Sequence, residues 1–148
     1  MKHKTTFSSI KNTLLWSYTL IATLFITACQ ESKPERFERE AKEYTERNCP
    51  QRASADGMVI LDSLVYHQES PTEIIYYYSI DATGDQTITM QMNKEALRQQ
   101  LLSSINSSVD LKNIKAAGLT IIYLYRDKYS KKEIMKFSFS KDDYTPVS

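Results

Sequence analysis

His67 is the one histidine beyond residue 3, and Cys29 and Cys49 are the two cysteines. Any side-chain chemistry therefore has few strong bases or nucleophiles to draw on. Asp62, Ser63 and His67 are the residue types of an acyl-transfer triad, but triad members converge from separate elements in space. Neighbours on one strand point to opposite faces, so Asp62 and Ser63 diverge, and His67 reads as a solvated residue of a polar turn. One histidine and one free cysteine fall short of a structural zinc site. Asp81 and Asp85 flank Gly84 and hint at calcium. An EF-hand loop needs a longer run of oxygen ligands and a closing glutamate, so this stretch reads as a turn. Cys49 reads as a thiol packed beneath the first helix, since free cysteine is among the most buried residue types. The chain contains no glycine-rich phosphate loop, no Gly-x-Ser-x-Gly and no Cys-x-x-Cys. These residues assign no catalytic, metal or cofactor site.

Tyrosine is the unusual residue: the chain has ten. Tyr76 and Tyr78 alternate with Tyr77, and Tyr123 and Tyr125 alternate with Leu124, so Tyr76 and Tyr78 share a face of their strand, and Tyr123 and Tyr125 share a face of theirs. Tyrosine packs well in sheets and is also enriched at binding surfaces, where its apolar body and polar tip both serve. Good sheet packing is the plainer reading, and an exposed aromatic binding face is the functional one. Binding rather than catalysis is the function class this inventory favours. A small enzyme built on carboxylates or tyrosines and a structural component are the alternatives.

The elements that position these residues follow from length and patterning. The chain has 148 residues and a formal net charge of +1. Lys2, Lys4 and Lys11 lie in the first 28 residues, which hold no acid, so the remainder carries −2. That balance argues against a nucleic-acid partner, and 41% hydrophobic residues argue against a disordered chain. The basic start is followed by an apolar run from Thr13 to Ala28, shorter than the ~20 residues that span a bilayer and diluted by hydroxyl residues. It reads as a secretory signal.

Ile26-Thr27-Ala28-Cys29 at its end resembles the lipobox of bacterial lipoproteins, an aliphatic and two small residues before the cysteine that takes lipid. The resemblance implies a signal peptide over 1–28 and a lipidated N-terminus and tether over 29–34. It also implies fatty-acyl chains on Cys29, and two or more such chains anchor stably where one does not. The expected location is the extracytoplasmic side of a bacterial membrane, the outer membrane in a Gram-negative cell. The expected partners are the membrane, through Cys29, and an envelope protein or other envelope component.

Residues 35–144 read as one α+β domain, with 145–148 as a tail. Ser32-Lys33-Pro34-Glu35 has the spacing of a capping box, and Phe37, Ala41 and Tyr44 form the apolar stripe of a helix that Pro50 ends. Strands are predicted over Met58–Tyr66, Ile74–Ile80, Gln86–Met92, Leu119–Arg126 and Glu133–Ser140. Between the third and fourth, Leu97, Leu101 and Ile105 predict a helix opened by Asn93. Asp110–Ala117 predicts a short helix stopped by a left-handed Gly118. Asp142-Asp143 reads as a solvated tail. The layout is helix, three-strand meander, one or two helices and C-terminal hairpin, in an antiparallel sheet of about five strands with helices on one face.

Asn48-Cys49-Pro50, Leu61-Asp62-Ser63, Tyr76-Tyr77-Tyr78, Gly118-Leu119-Thr120 and Tyr123-Leu124-Tyr125-Arg126-Asp127 together resemble a group of small bacterial α+β proteins with no known activity. That resemblance implies the same fold and assigns no site.

Overall fold

Phe37 and Ala41, four residues apart, are the buried face of the first helix, α1 (Lys33–Asn48). Its other faces carry Arg36–Glu40 and Arg39–Glu43 ion pairs at 2.7 and 3.1 Å. These are exposed i,i+4 pairs worth only a few tenths of a kcal/mol each, so burial of Phe37 and Ala41 does more to hold the helix down. Phe37 stacks on Tyr66 with ring centroids 5.7 Å apart. The computed structural model describes residues 31–81 and 93–144. The expected signal, the lipobox with Cys29, the Gln86–Met92 strand and the 145–148 tail lie outside the described residues.

The strands are β1 (Gln51–Arg52), β2 (Val59–His67), β3 (Glu73–Ile80), β4 (Thr120–Asp127) and β5 (Glu133–Phe139), with α2 (Lys94–Ser107) and α3 (Lys112–Ala117) between β3 and β4, and α4 (Lys141–Tyr144) at the end. They form one five-stranded sheet in the order β1-β2-β3-β4-β5. The α+β class and the order of helix, strands, helices and hairpin match the expectation. The all-antiparallel sheet does not: β3 and β4 run parallel, with Tyr76 beside Tyr123 and Tyr78 beside Tyr125. The physical reason is the connection. Parallel neighbours need a long crossover, and the segment holding α2 and α3 supplies it. The two-residue β1, paired at Gln51↔Leu61 and Arg52↔Ile60, is too short for any periodicity to reveal.

The helical face of the sheet buries Ile74 and Ile80 of β3, Ile121, Tyr123 and Tyr125 of β4, and Met135, Phe137 and Phe139 of β5. From α2, Ile105 is fully buried, while Leu97 and Leu101 are half-buried against the same core. Gln99 and Lys94 are exposed, so the expected helix phase holds. On the opposite face Ile75, Ile122 and Leu124 make a smaller cluster with Tyr77 packed against it.

Gly118 has φ +70° and its N–H reaches the carbonyls of Ile114 and Lys115, the left-handed stop expected there, which a Cβ would strain. In the β4–β5 turn the left-handed position is Lys131, at φ 59°, and the Asp127 carboxylate accepts the N–H groups of Tyr129 and Ser130. Asp142-Asp143 is not a loose tail. Asp143 accepts from the Ser140 N–H and hydroxyl and pairs with Arg98 at 2.9 Å, the carboxylate half of a capping box at the start of α4, which the sequence spacing Ser140-x-x-Asp143 could have signalled. The Tyr144 hydroxyl closes the end by donating to the Leu119 carbonyl at 2.8 Å.

Candidate functional site

The parallel register sets the tyrosines side by side, and they stack. Tyr76 and Tyr123 have ring centroids 5.1 Å apart, Tyr123 and Tyr78 6.2 Å, and Tyr78 and Tyr125 4.9 Å. Phe139 and Phe137 meet Tyr123 and Tyr125 edge-on at 6.1 Å. These four tyrosines face the helices, so their first role is the core, as the plainer sequence reading had it. Tyr77, on the other face, lies under the Arg126 guanidinium at 4.6 Å.

One end of this ladder is left open. Between α1 on one side and the α2–α3 corner on the other lies a cleft of about 360 Å³, within the ~300–1,000 Å³ range of small-ligand sites. Its floor is Leu64, Ile74, Tyr76 and Tyr123 from the sheet, and its walls include Phe37, Ala41 and Tyr44 of α1 and Leu111 and Ile114 opposite. Glu40, Ser104, Ser108 and Asp110 supply its remaining polar groups. Among the described residues no hydrogen-bond partner reaches the hydroxyls of Tyr76 and Tyr123, and no side-chain oxygen is fully buried without one. Both residues line the cleft.

Local structure holds these walls apart. The Thr45 hydroxyl bonds both the carbonyl and the N–H of Leu64, at 3.0 and 2.8 Å, satisfying backbone groups of β2 and tying α1 to the strand. Tyr44 donates to the Gln51 side chain at 3.3 Å. Across the cleft, the Lys115 ammonium bonds the carbonyls of Ile105, Asn106 and Ser108 at 2.8–3.1 Å, fixing the corner where the last carbonyls of α2 would otherwise lack partners.

Burial pushes all four stacked phenols up, Tyr123 and Tyr125 to about 12 from an ordinary 10.0. Tyr76 and Tyr78 are raised further by burial and by neighbouring tyrosines. They remain neutral donors at any physiological pH. Because the folded chain holds these protons more tightly than the unfolded one, their contribution to stability is complete below pH 10 and is lost as pH rises toward 12. In an ultraviolet alkaline titration, these phenols are expected to ionise together with the loss of near-ultraviolet circular dichroism. Ionisation of all tyrosines near pH 10 in a chain that stays folded would contradict the packing described.

The remaining sequence candidates do not converge. His67 ends β2 opposite Glu73 and is exposed, on a strand end rather than in the turn. At ~3.3 Å per residue it lies about 16 Å along the strand from Asp62. Asp62 stands at the irregularity between Leu61 and Ser63 and accepts from Ser79 at 3.0 Å. Asp81 is occupied by Lys128 at 2.6 Å and by the Tyr129 hydroxyl at 2.9 Å, while Asp85 lies outside the described residues. Cys49 is free and half-buried, less enclosed than expected. Burial and then the nearby Asp62 charge hold it as a thiol rather than a thiolate, the reverse of an activated nucleophile. Among the described residues no three His, Cys, Asp or Glu side chains cluster as metal ligands. Among them also, no helix is long and apolar enough to cross a membrane. The cleft itself was not foreseen. Its only early signals were Tyr44 on the α1 stripe and the tyrosine alternation in the two central strands.

A crystal structure of a protein from Pseudomonas aeruginosa, described as a "putative secreted protein", has the same fold. It superposes with a TM-score of 0.64 over 78% of this chain and 100% of its own, at 16% sequence identity. No curated protein matches the chain. The family profile described as "Domain of unknown function (DUF8479)" matches residues 32–135, a span that includes α1, the cleft and all but the end of the sheet, and the chain belongs to that family.

Proposed function

We propose that the protein is a lipid-anchored binding module of the bacterial cell envelope, held at the membrane by acyl chains on Cys29 and receiving its ligand in the cleft between α1 and the α2–α3 corner. The observation that carries the binding role is the open cleft, with apolar walls and a floor whose Tyr76 and Tyr123 hydroxyls have no partner among the described residues. An apolar pocket with a few convergent polar groups is the usual form of a binding site. The extracytoplasmic location is supported by the basic start, apolar run and Ile26-Thr27-Ala28-Cys29, and by the fold shared with a Pseudomonas protein described as a "putative secreted protein". A tether raises the local concentration of module and partner, so modest affinity suffices.

The test is site-specific photo-cross-linking in intact cells. A photoreactive residue in place of Tyr44, at the cleft, is expected to give adducts with an envelope component. The same residue in place of Lys136, which is exposed on β5, is expected to give none. Equal adducts from both positions, or none from Tyr44 in cells expressing a folded protein, would remove the cleft as the binding site.

A further inference from the structure

The charge of the cleft is one-sided. Glu40 from α1 and Asp110 from the α2–α3 corner stand on opposite walls, and among the described residues no lysine, arginine or histidine lines the space. Glu40 is met by Arg36 at 2.7 Å on the helix surface. Asp110 is exposed and makes no ion pair among the described residues. On that wall Lys115 is committed to the carbonyls of Ile105, Asn106 and Ser108, and neither it nor Lys112 lines the cleft. The negative charge of Asp110 is felt inside, where it adds to burial in raising both Tyr44 and Tyr76. Below the carboxylates the walls are hydrocarbon and aromatic, and phenol rings attract a cation at their faces.

We propose that the cleft selects an amphiphile with one cationic head, set between Asp110 and Glu40, and an apolar body lying over Tyr76 and Tyr123. This rests on the reading of the cleft as a binding site and adds the chemical class of its ligand. An anionic head meets two carboxylates with no counter-charge on the lining. A neutral head fills the same volume but leaves Asp110 without a partner. The cationic head alone uses both the apolar walls and the charge at the mouth, at the cost of desolvating one ammonium that the two carboxylates then partner.

Three probes of equal length separate head from body: hexylamine, hexanol and hexanoate. They are titrated calorimetrically into the full chain carried in phosphatidylcholine vesicles, with protein-free vesicles as baseline. Hexylamine is expected to bind about fivefold more tightly than hexanol, the scale of one partly exposed charge pair, and hexanoate more weakly than both. Asp110→Asn is expected to bring hexylamine to within about twofold of hexanol while leaving hexanol unchanged. Hexanol binding as tightly as hexylamine, or an amine preference that survives Asp110→Asn combined with Glu40→Gln, would overturn the cationic head and leave the binding cleft standing. Absence of saturable binding by all three probes would overturn both.

Discussion

Truncating Phe139 to alanine is expected to cost about 3–5 kcal/mol of folding stability, a large share of the ~5–15 kcal/mol that holds a domain of ordinary stability together. Phe139 is fully buried at the end of β5. Its ring meets Tyr123 edge-on at 6.1 Å and lies under the Arg98 guanidinium at 4.7 Å. The loss therefore combines the transfer term of the removed ring with the cavity left between β4, β5 and α2. The surroundings have little freedom to collapse into that cavity. Arg98 is held by Asp143 and by the Ser138 carbonyl, and Tyr123 is stacked on Tyr76. Chemical denaturation should show a lower midpoint for Phe139→Ala with an unchanged slope, and Gln99→Ala on the exposed face of α2 should be nearly neutral. Comparable losses at Gln99 and Phe139 would mean that α2 does not present its Leu97–Leu101–Ile105 face to the sheet.

The second large effect concerns attachment rather than folding. Cys29→Ser is expected to abolish fatty-acid labelling and to move the protein from the membrane to the soluble fraction. The serine hydroxyl cannot take the thioether-linked lipid, and the signal would then lack its acceptor. Pro34–Ser148 forms a compact unit that does not contain Cys29, so the unfolding midpoint of the domain is expected to stay within about 0.5 kcal/mol of wild type in stability, as for changes away from packed groups. Labelling that survives Cys29→Ser would overturn the lipoprotein reading. Loss of the folded domain would instead assign Cys29 a structural role.

Particular residues show what the sequence could disclose. Phe37 and Ala41 on one stripe, Pro50 after Cys49, the Leu97–Leu101–Ile105 spacing and Gly118 each act through local backbone or side-chain geometry, and each marks its element in the structure. The direction of β4 is different. It depends on which strand edge is free when the chain returns after α3, and that is decided by packing between residues such as Tyr76 and Tyr123, far apart in the sequence. The same holds for the cleft, whose lining runs from Phe37 to Tyr123. No window of residues contains it, because it is the space left where α1, pinned by Thr45 to Leu64, and the corner around Lys115 stand apart over the sheet. The cap on α4 is an intermediate case, legible in the spacing Ser140-x-x-Asp143 but hidden by two acids that also suit a solvated end.

The parallel pairing of β3 with β4 sets the order in which the chain can fold. The sheet's central pair joins Glu73–Ile80 to Thr120–Asp127, so it cannot form until the intervening segment has been made and its ends brought together, an entropic cost of loop closure. Long-range pairings of this kind slow folding. A polypeptide emerging N-terminus first can zip β2 onto β3 early, but the stacking of Tyr76 and Tyr78 on Tyr123 and Tyr125 waits for nearly the whole chain. Until then the tyrosine ladder at the centre of the sheet lacks half of its rings.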